Sequence, residues 1–237
     1  MKTLMPYVTG GVSAGWADYV RAFADAGADL VEVGLPFSEP TLDGATIQEA
    51  TATALARGAT LDGVLRSAPT GVPLVASTYA NLACRPGFCA RLAEAGFTGL
   101  IVPDLPLEEC AELAAEAAAA GIDLALLAAP VTPDARLAEI GRRSRGFVYA
   151  VSVMGTTGER DTLSPAAADL AARLKARTEL PVLLGFGIST PAQAAEAARV
   201  ADGVVIGAAI MRRLLDGAGP AELGAYVGTM RTAIDSD

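Results

Sequence analysis

The feature that most limits what this chain can fold into is an alternation that runs from one end to the other. Eight short apolar runs rich in β-branched residues occur at 4–9, 29–34, 73–79, 99–102, 123–128, 146–151, 181–185 and 203–206. Between them lie alanine-rich stretches of helical period, as at 17–26, 46–57, 108–119 and 191–199. Strands that are apolar almost throughout belong to a sheet covered on both faces, and alternation with helices makes such a sheet parallel. Eight repeats in 237 residues match one (β/α)8 TIM barrel, an α/β fold, with an open doubly wound sheet as the alternative. Local punctuation agrees. Ser164-Pro165 and Thr190-Pro191 put a hydroxyl cap before a proline at the first helical position, and Gly27, Gly58 and Gly121 sit where helices should stop. No linker or composition shift divides the chain, so residues 1–237 are expected to form a single domain.

Composition supplies the core and narrows the partners. Hydrophobic residues make up 52% and charged residues 19%, enough to fill a large interior. No apolar run reaches the roughly 18 residues that suggest a bilayer span, and Met1 to Pro6 lacks a leader pattern. A cytoplasmic protein is expected. A net charge of −9 disfavours nucleic acid and anionic membrane as partners, since both require clustered cations. The densest basic patch, Arg142, Arg143 and Arg145, reads as a solvated helix end. Cys84, Cys89 and Cys110 cannot all pair and read as reduced thiols.

The missing residues narrow the chemistry further. With no histidine in the chain, Ser-His-Asp and Cys-His mechanisms and histidine-ligated zinc are excluded. Lysine occurs only at Lys2 and Lys175, neither near the end of a strand run, so an imine-forming aldolase is not expected. A lyase built on this chain would run on carboxylates.

In a (β/α)8 barrel the working residues follow the strands, at their C-terminal ends. Glu32 lies within Leu30-Val31-Glu32-Val33-Gly34, and alternation turns it away from the facing of Val31 and Val33. A carboxyl group buried there has its pKa raised, which suits proton delivery and recovery near neutrality; a structural ion pair with arginine is the alternative. Asp43 lies eleven positions on, in the proline-punctuated loop after that strand, and reads either as a functional carboxylate or as a helix cap. Glycines cluster after the last three strands, at Gly155 and Gly158, Gly185 and Gly187, and Gly207-Ala208. Backbone amides there can approach an anion closely, and phosphate sites of such barrels commonly follow strands seven and eight. Tyr79 and Tyr149 end or occupy strands and serve either ligand contact or packing, whereas Trp16 and Tyr19 read as outer packing. The segment 155–163, with Thr157, Gly158 and Arg160, reads as a lid over the ligand.

The run Val31-Glu32-Val33-Gly34-Leu35-Pro36-Phe37-Ser38-Glu39-Pro40, with Asp43-Gly44 and Ile47-Gln48, resembles the signature of the tryptophan synthase alpha subunit family. Pro6-Tyr7-Val8-Thr9, Tyr79-Ala80-Asn81, Pro103-Asp104-Leu105-Pro106, Phe147-Val148-Tyr149, Gly158 and Gly185-Phe186-Gly187-Ile188-Ser189 match in order, so the resemblance spans nearly the whole chain. It implies retro-aldol cleavage of indole-3-glycerol phosphate to indole and glyceraldehyde 3-phosphate, without metal or cofactor. Glu32 then resembles the acid/base and Asp43 the acceptor for the indole N–H. Gly158, Gly187, Gly207 and Ala208 resemble the phosphate cradle, Tyr149 and Tyr79 the pocket walls, and Tyr7 part of the indole face. The chain departs from the family at Glu39, where aspartate is typical, at Ala45, where proline is, and at Ala208, where serine is frequent. It also enters its first strand almost at once, where the family carries a helical segment. The resemblance implies a beta-subunit partner; a stand-alone lyase releasing free indole and a weakly catalytic activating subunit are the alternatives.

Overall fold

The computed structural model describes residues 1–151, 165–185 and 187–236. Nine parallel strands form one sheet: β1 (Thr3–Thr9), β2 (Val31–Gly34), β3 (Leu74–Ser77), β4 (Phe97–Ile101), β5 (Asp123–Ala125), β6 (Leu127–Ala128), β7 (Val148–Val151), β8 (Val182–Gly185) and β9 (Gly203–Ile206). Their spatial order is β5-β4-β3-β2-β1-β9-β8-β7-β6. The two edges, β5 and β6, are consecutive in the chain and separated only by Leu126. The chain itself therefore joins the edges, and the sheet becomes a barrel of eight staves rather than an open doubly wound sheet. The fifth expected run is the one that splits. At the break, Leu126 donates its N–H to Ser144 Oγ at 3.2 Å, and its carbonyl accepts from Tyr149 N at 3.0 Å.

Strand alternation sorts the side chains into two cores. Met5, Val75, Ile101, Ala125, Phe147, Tyr149, Leu183 and Val205 pack with one another inside the barrel. Val31, Val33, Leu74, Ala76, Val148, Leu184 and Val204 belong to the larger layer between strands and helices. Glu32, between Val31 and Val33, therefore faces inward with Val75, its register partner on β3.

The helices start and stop where the punctuation predicts. α1 (Trp16–Asp25) ends before Gly27, α2 (Ala45–Ala56) before Gly58, and a third, Ala111–Ala120, at Gly121; all three glycines have positive φ. Thr190 and Gln193 form a reciprocal capping box on the helix Pro191–Val200. Ser164 lies outside the described residues; the described helix that follows is Pro165–Lys175. Trp16 is buried in the outer layer, and Tyr19 hydrogen-bonds the Ala218 carbonyl. Arg142 and Arg143 pair with Glu139 at a helix end, and Arg145 bonds the carbonyls of Arg142 and Ser144. All three cysteines are free. Among the described residues no helix is long and apolar enough to cross a membrane.

Candidate active site

At the C-terminal ends of the strands the barrel opens into a cavity of about 730 Å³, part of it open to solvent. Its walls bring together Glu32 from β2, Asp43 from the following loop, Tyr7 from β1, Tyr149 from β7, and Gly187, Gly207 and Ala208 after β8 and β9. These lie far apart in sequence and meet only because the barrel closes.

Glu32 is buried, with 5% of its surface exposed. Burial, and to a lesser degree the Asp43 carboxyl, raise its pKa from the ordinary 4.5 to about 7, while the Ser77 side chain pulls the other way. Among the described residues no arginine or lysine pairs with it, so the structural ion pair that alternation alone left open is absent.

Asp43 is held from its neighbourhood rather than by a helix. The cap of α2 is Gly44, with no side-chain capping bond, so Asp43 does not fill the cap role. Instead Tyr79 donates its hydroxyl to Asp43 Oδ2 at 2.7 Å and accepts from Leu42 N at 3.0 Å. Gln48 Nε2 donates to the Asp43 carbonyl at 2.7 Å. The Tyr79 ring stacks on Phe37 with centroids 5.0 Å apart. Burial raises the Asp43 pKa, and the Tyr79 hydroxyl partly offsets this. Tyr79 thus lines a smaller pocket that adjoins the main cavity and shares Tyr7, Asp43, Ser77 and Pro103 with it. Its hydroxyl serves the carboxylate.

Two tyrosines depend on two glycines. A Cβ on Gly34 would lie 1.9 Å from the Tyr7 hydroxyl, and one on Gly185 would lie 2.3 Å from the Tyr149 ring. Gly185, expected among the anion-binding glycines, makes room for Tyr149. Gly187 does have the positive φ of a turn glycine, at 86°. Burial first, and then Coulomb repulsion from the carboxylates, raise the pKa values of both Tyr7 and Tyr149 far above the usual tyrosine range, so both stay neutral hydroxyls.

Beyond β1 from the Glu32 strand, Gly207 caps the helix α3 (Ala208–Leu215), whose first residues line the cavity. The N-terminus of a helix presents unsatisfied amides and a favourable dipole to an anion. The loop leading into Pro191–Val200 is fixed by Gln193, whose Oε1 accepts from Ser189 N at 2.8 Å, Ser189 Oγ at 3.1 Å and Thr190 N at 3.0 Å. Gly158, and the whole segment 155–163 with Thr157 and Arg160, lie outside the described residues. Both lysines are engaged elsewhere, Lys2 with the Ala201 carbonyl and Lys175 with Asp202, and neither lines the cavity. Sequence reasoning passed over Ser77, Leu127 and the Gln193 hub. Ser77 alone left a signal, as a hydroxyl residue ending the apolar run Leu74-Val75-Ala76.

Fold and mouth together define a class: a (β/α)8-barrel enzyme equipped with one buried and one half-buried carboxylate and, lining the same cavity, the start of a helix whose amides suit an anion. Known proteins narrow that class. The family described as "Tryptophan synthase alpha chain" matches residues 1–226. The tryptophan synthase alpha chain of Chloroflexus aggregans is 46% identical over 222 residues, covering 89% of this chain and 83% of that one. That of Streptomyces coelicolor is 47% identical over 219 residues, covering 89% and 79%. Among solved structures, Mycobacterium tuberculosis tryptophan synthase aligns with a TM-score of 0.91 at 37% identity, covering 98% of this chain and 92% of that one. The alpha subunit from Legionella pneumophila aligns with a TM-score of 0.86 at 31% identity, covering 100% and 94%. The chain belongs to the tryptophan synthase alpha chain family.

Proposed function

We propose that this chain, as the alpha subunit of tryptophan synthase, cleaves indole-3-glycerol phosphate to indole and glyceraldehyde 3-phosphate in the cytoplasm, with residues 1–237 acting as one domain. One observation carries the assignment of roles: Glu32 and Asp43, each with its pKa raised by burial, share a cavity with the start of α3. Glu32 in its protonated form delivers a proton to the ring carbon that bears the side chain. The ring becomes cationic, and Asp43, kept ionised, accepts the indole N–H and stabilises that charge. The Glu32 carboxylate then takes the proton of the adjacent glycerol hydroxyl. The carbonyl forms, the carbon–carbon bond breaks, and its electron pair returns to the ring. One residue acts as both acid and base, and the proton balance closes on it.

Gly187, Gly207 and Ala208 hold the phosphate through backbone amides, with Gly158 assigned there by family resemblance alone. An amide contact needs no side chain, so alanine serves at position 208. Tyr7 and Tyr149 confine the ring and the glycerol chain, and Tyr79 keeps Asp43 oriented. The beta subunit is the proposed partner, consuming the indole released here.

Incubating the purified chain with indole-3-glycerol phosphate tests this directly. Indole and glyceraldehyde 3-phosphate should appear in equal amounts, and Glu32→Gln should reduce the rate by at least ~10²-fold. Undiminished turnover in that variant would remove Glu32 from its role. Added beta subunit should co-elute with the chain and accelerate indole release; an unchanged rate without co-elution would mark a stand-alone lyase.

A further inference from the structure

Glu32 must be able to both give and take a proton, yet its surroundings press it toward the neutral form. Tyr7 reaches toward it from β1, Tyr149 from β7 and Asp43 from the loop after β2, with Tyr79 behind Asp43. None of these is a cation, and two are buried hydroxyls that stay neutral.

The register between β2 and β3 sets what stands on the remaining side. Glu32 pairs with Val75 and Gly34 with Ser77, so Ser77 stands on the inward face one step nearer the mouth. Its partner Gly34 has no side chain to come between Ser77 and the carboxyl. The space over Gly34 is taken by the Tyr7 ring, whose hydroxyl is already engaged with Thr9 Oγ1 at 3.1 Å. Ser77 and Glu32 line the same cavity, and the Ser77 side chain acts to lower the Glu32 pKa against the burial that raises it. Ser77 is also held firmly, because its carbonyl accepts from Leu35 N at 2.9 Å and the next residue, Thr78, bonds the Ile101 carbonyl at 3.1 Å.

We propose that Ser77 is a positioning residue for Glu32: its hydroxyl donates to the carboxylate, favours the ionised form against the burial that opposes it, and keeps the carboxyl turned into the cavity. This rests on the acid/base reading of Glu32 and deepens it. After protonating the ring, Glu32 must persist as a carboxylate long enough to take the hydroxyl proton. A fixed donor from β3 stabilises it for that step, and lowers the pH above which the resting enzyme lacks its starting proton.

The test titrates Glu32 in two ways. Its protonated C=O stretch, assigned by its absence in Glu32→Gln, is followed by infrared difference spectroscopy in wild type, Ser77→Ala and Ser77→Thr. The alkaline limb of kcat is measured on the same three proteins. Loss of one hydrogen bond to a charged group should move the Glu32 titration up by about one pH unit in Ser77→Ala. Ser77→Thr, which keeps the hydroxyl, should titrate as wild type, and the kcat limb should follow the spectroscopic value. An unmoved titration in Ser77→Ala overturns the proposal, as does an equal shift in Ser77→Thr. A spectroscopic shift with an unmoved kcat limb leaves the Ser77 contact standing and removes the acid role of Glu32 instead.

Discussion

Glu32 sets function against stability within one side chain. Its ionised form is disfavoured by burial, so the folded state holds the proton up to about pH 7 whereas an unfolded chain releases it near 4.5. Below 4.5 both states are protonated and nothing is lost. As pH rises from 4.5 to about 7 the folded state is progressively penalised, by about 3 kcal/mol above that window. Glu32→Gln should therefore raise the melting temperature at pH 8 and leave it nearly unchanged at pH 4, an expectation that calorimetry at the two pH values checks. Tyr79→Phe acts on the other carboxylate. It keeps the stack on Phe37 but removes the donor that lowers the Asp43 pKa, so the acid limb of the kcat profile should move to higher pH. An acid limb identical to wild type would detach Tyr79 from Asp43. Gly34→Ala places a methyl group where the Tyr7 hydroxyl already is, which should cost about 1–3 kcal/mol in urea unfolding and weaken ligand binding as Tyr7 is displaced.

At the level of elements, the site is a set of strand ends made rigid from outside. β2 and β3 carry Glu32 and Ser77 in register, and the loop after β2 is tied to β3 through Tyr79. The loop after β3 is tied to the loop after β4 by Ala80 N donating to Asp104 Oδ1 at 2.8 Å, which gives Asp104 of the Pro103–Pro106 motif a structural task. On the opposite side, Gln193 accepts three hydrogen bonds from Ser189 and Thr190, and Tyr226 bonds the Ser189 carbonyl at 2.7 Å. Gln193→Ala should release that loop, raising KM for the phosphorylated substrate several-fold while kcat changes little, because the role proposed for the loop is to hold the anion and not the reacting bond. Steady-state kinetics separates the two, and a fall in kcat at constant KM would contradict the assignment.

For the molecule as a whole, closure through Leu126 brings the two carboxylates on one side and the start of α3, beyond β1, to one mouth. A ligand with an indole ring and a phosphate tail should engage both sides at once. Indolepropanol phosphate at 100 times its Kd should stabilise the fold by ~2.7 kcal/mol, which for a chain of this size raises Tm by about 5–10 °C. Indole alone, lacking the anion, should need a far higher concentration for the same shift, and equal potency of the two would argue against a phosphate site at the start of α3.

The alternation of apolar strand and amphipathic helix, the helix stops at Gly27, Gly58 and Gly121, and the cap at Thr190 were legible in the sequence because each is a local preference of a few neighbouring residues. So was the inward turn of Glu32, which follows from period-two alternation. The break at Leu126, the service of Gly34 and Gly185 to tyrosines on other strands, the turn of Tyr79 toward Asp43 and the approach of Ser77 to Glu32 were not. Each depends on which strands lie side by side and in what register, and only the closed barrel, formed by contacts among residues remote in the chain, decides that.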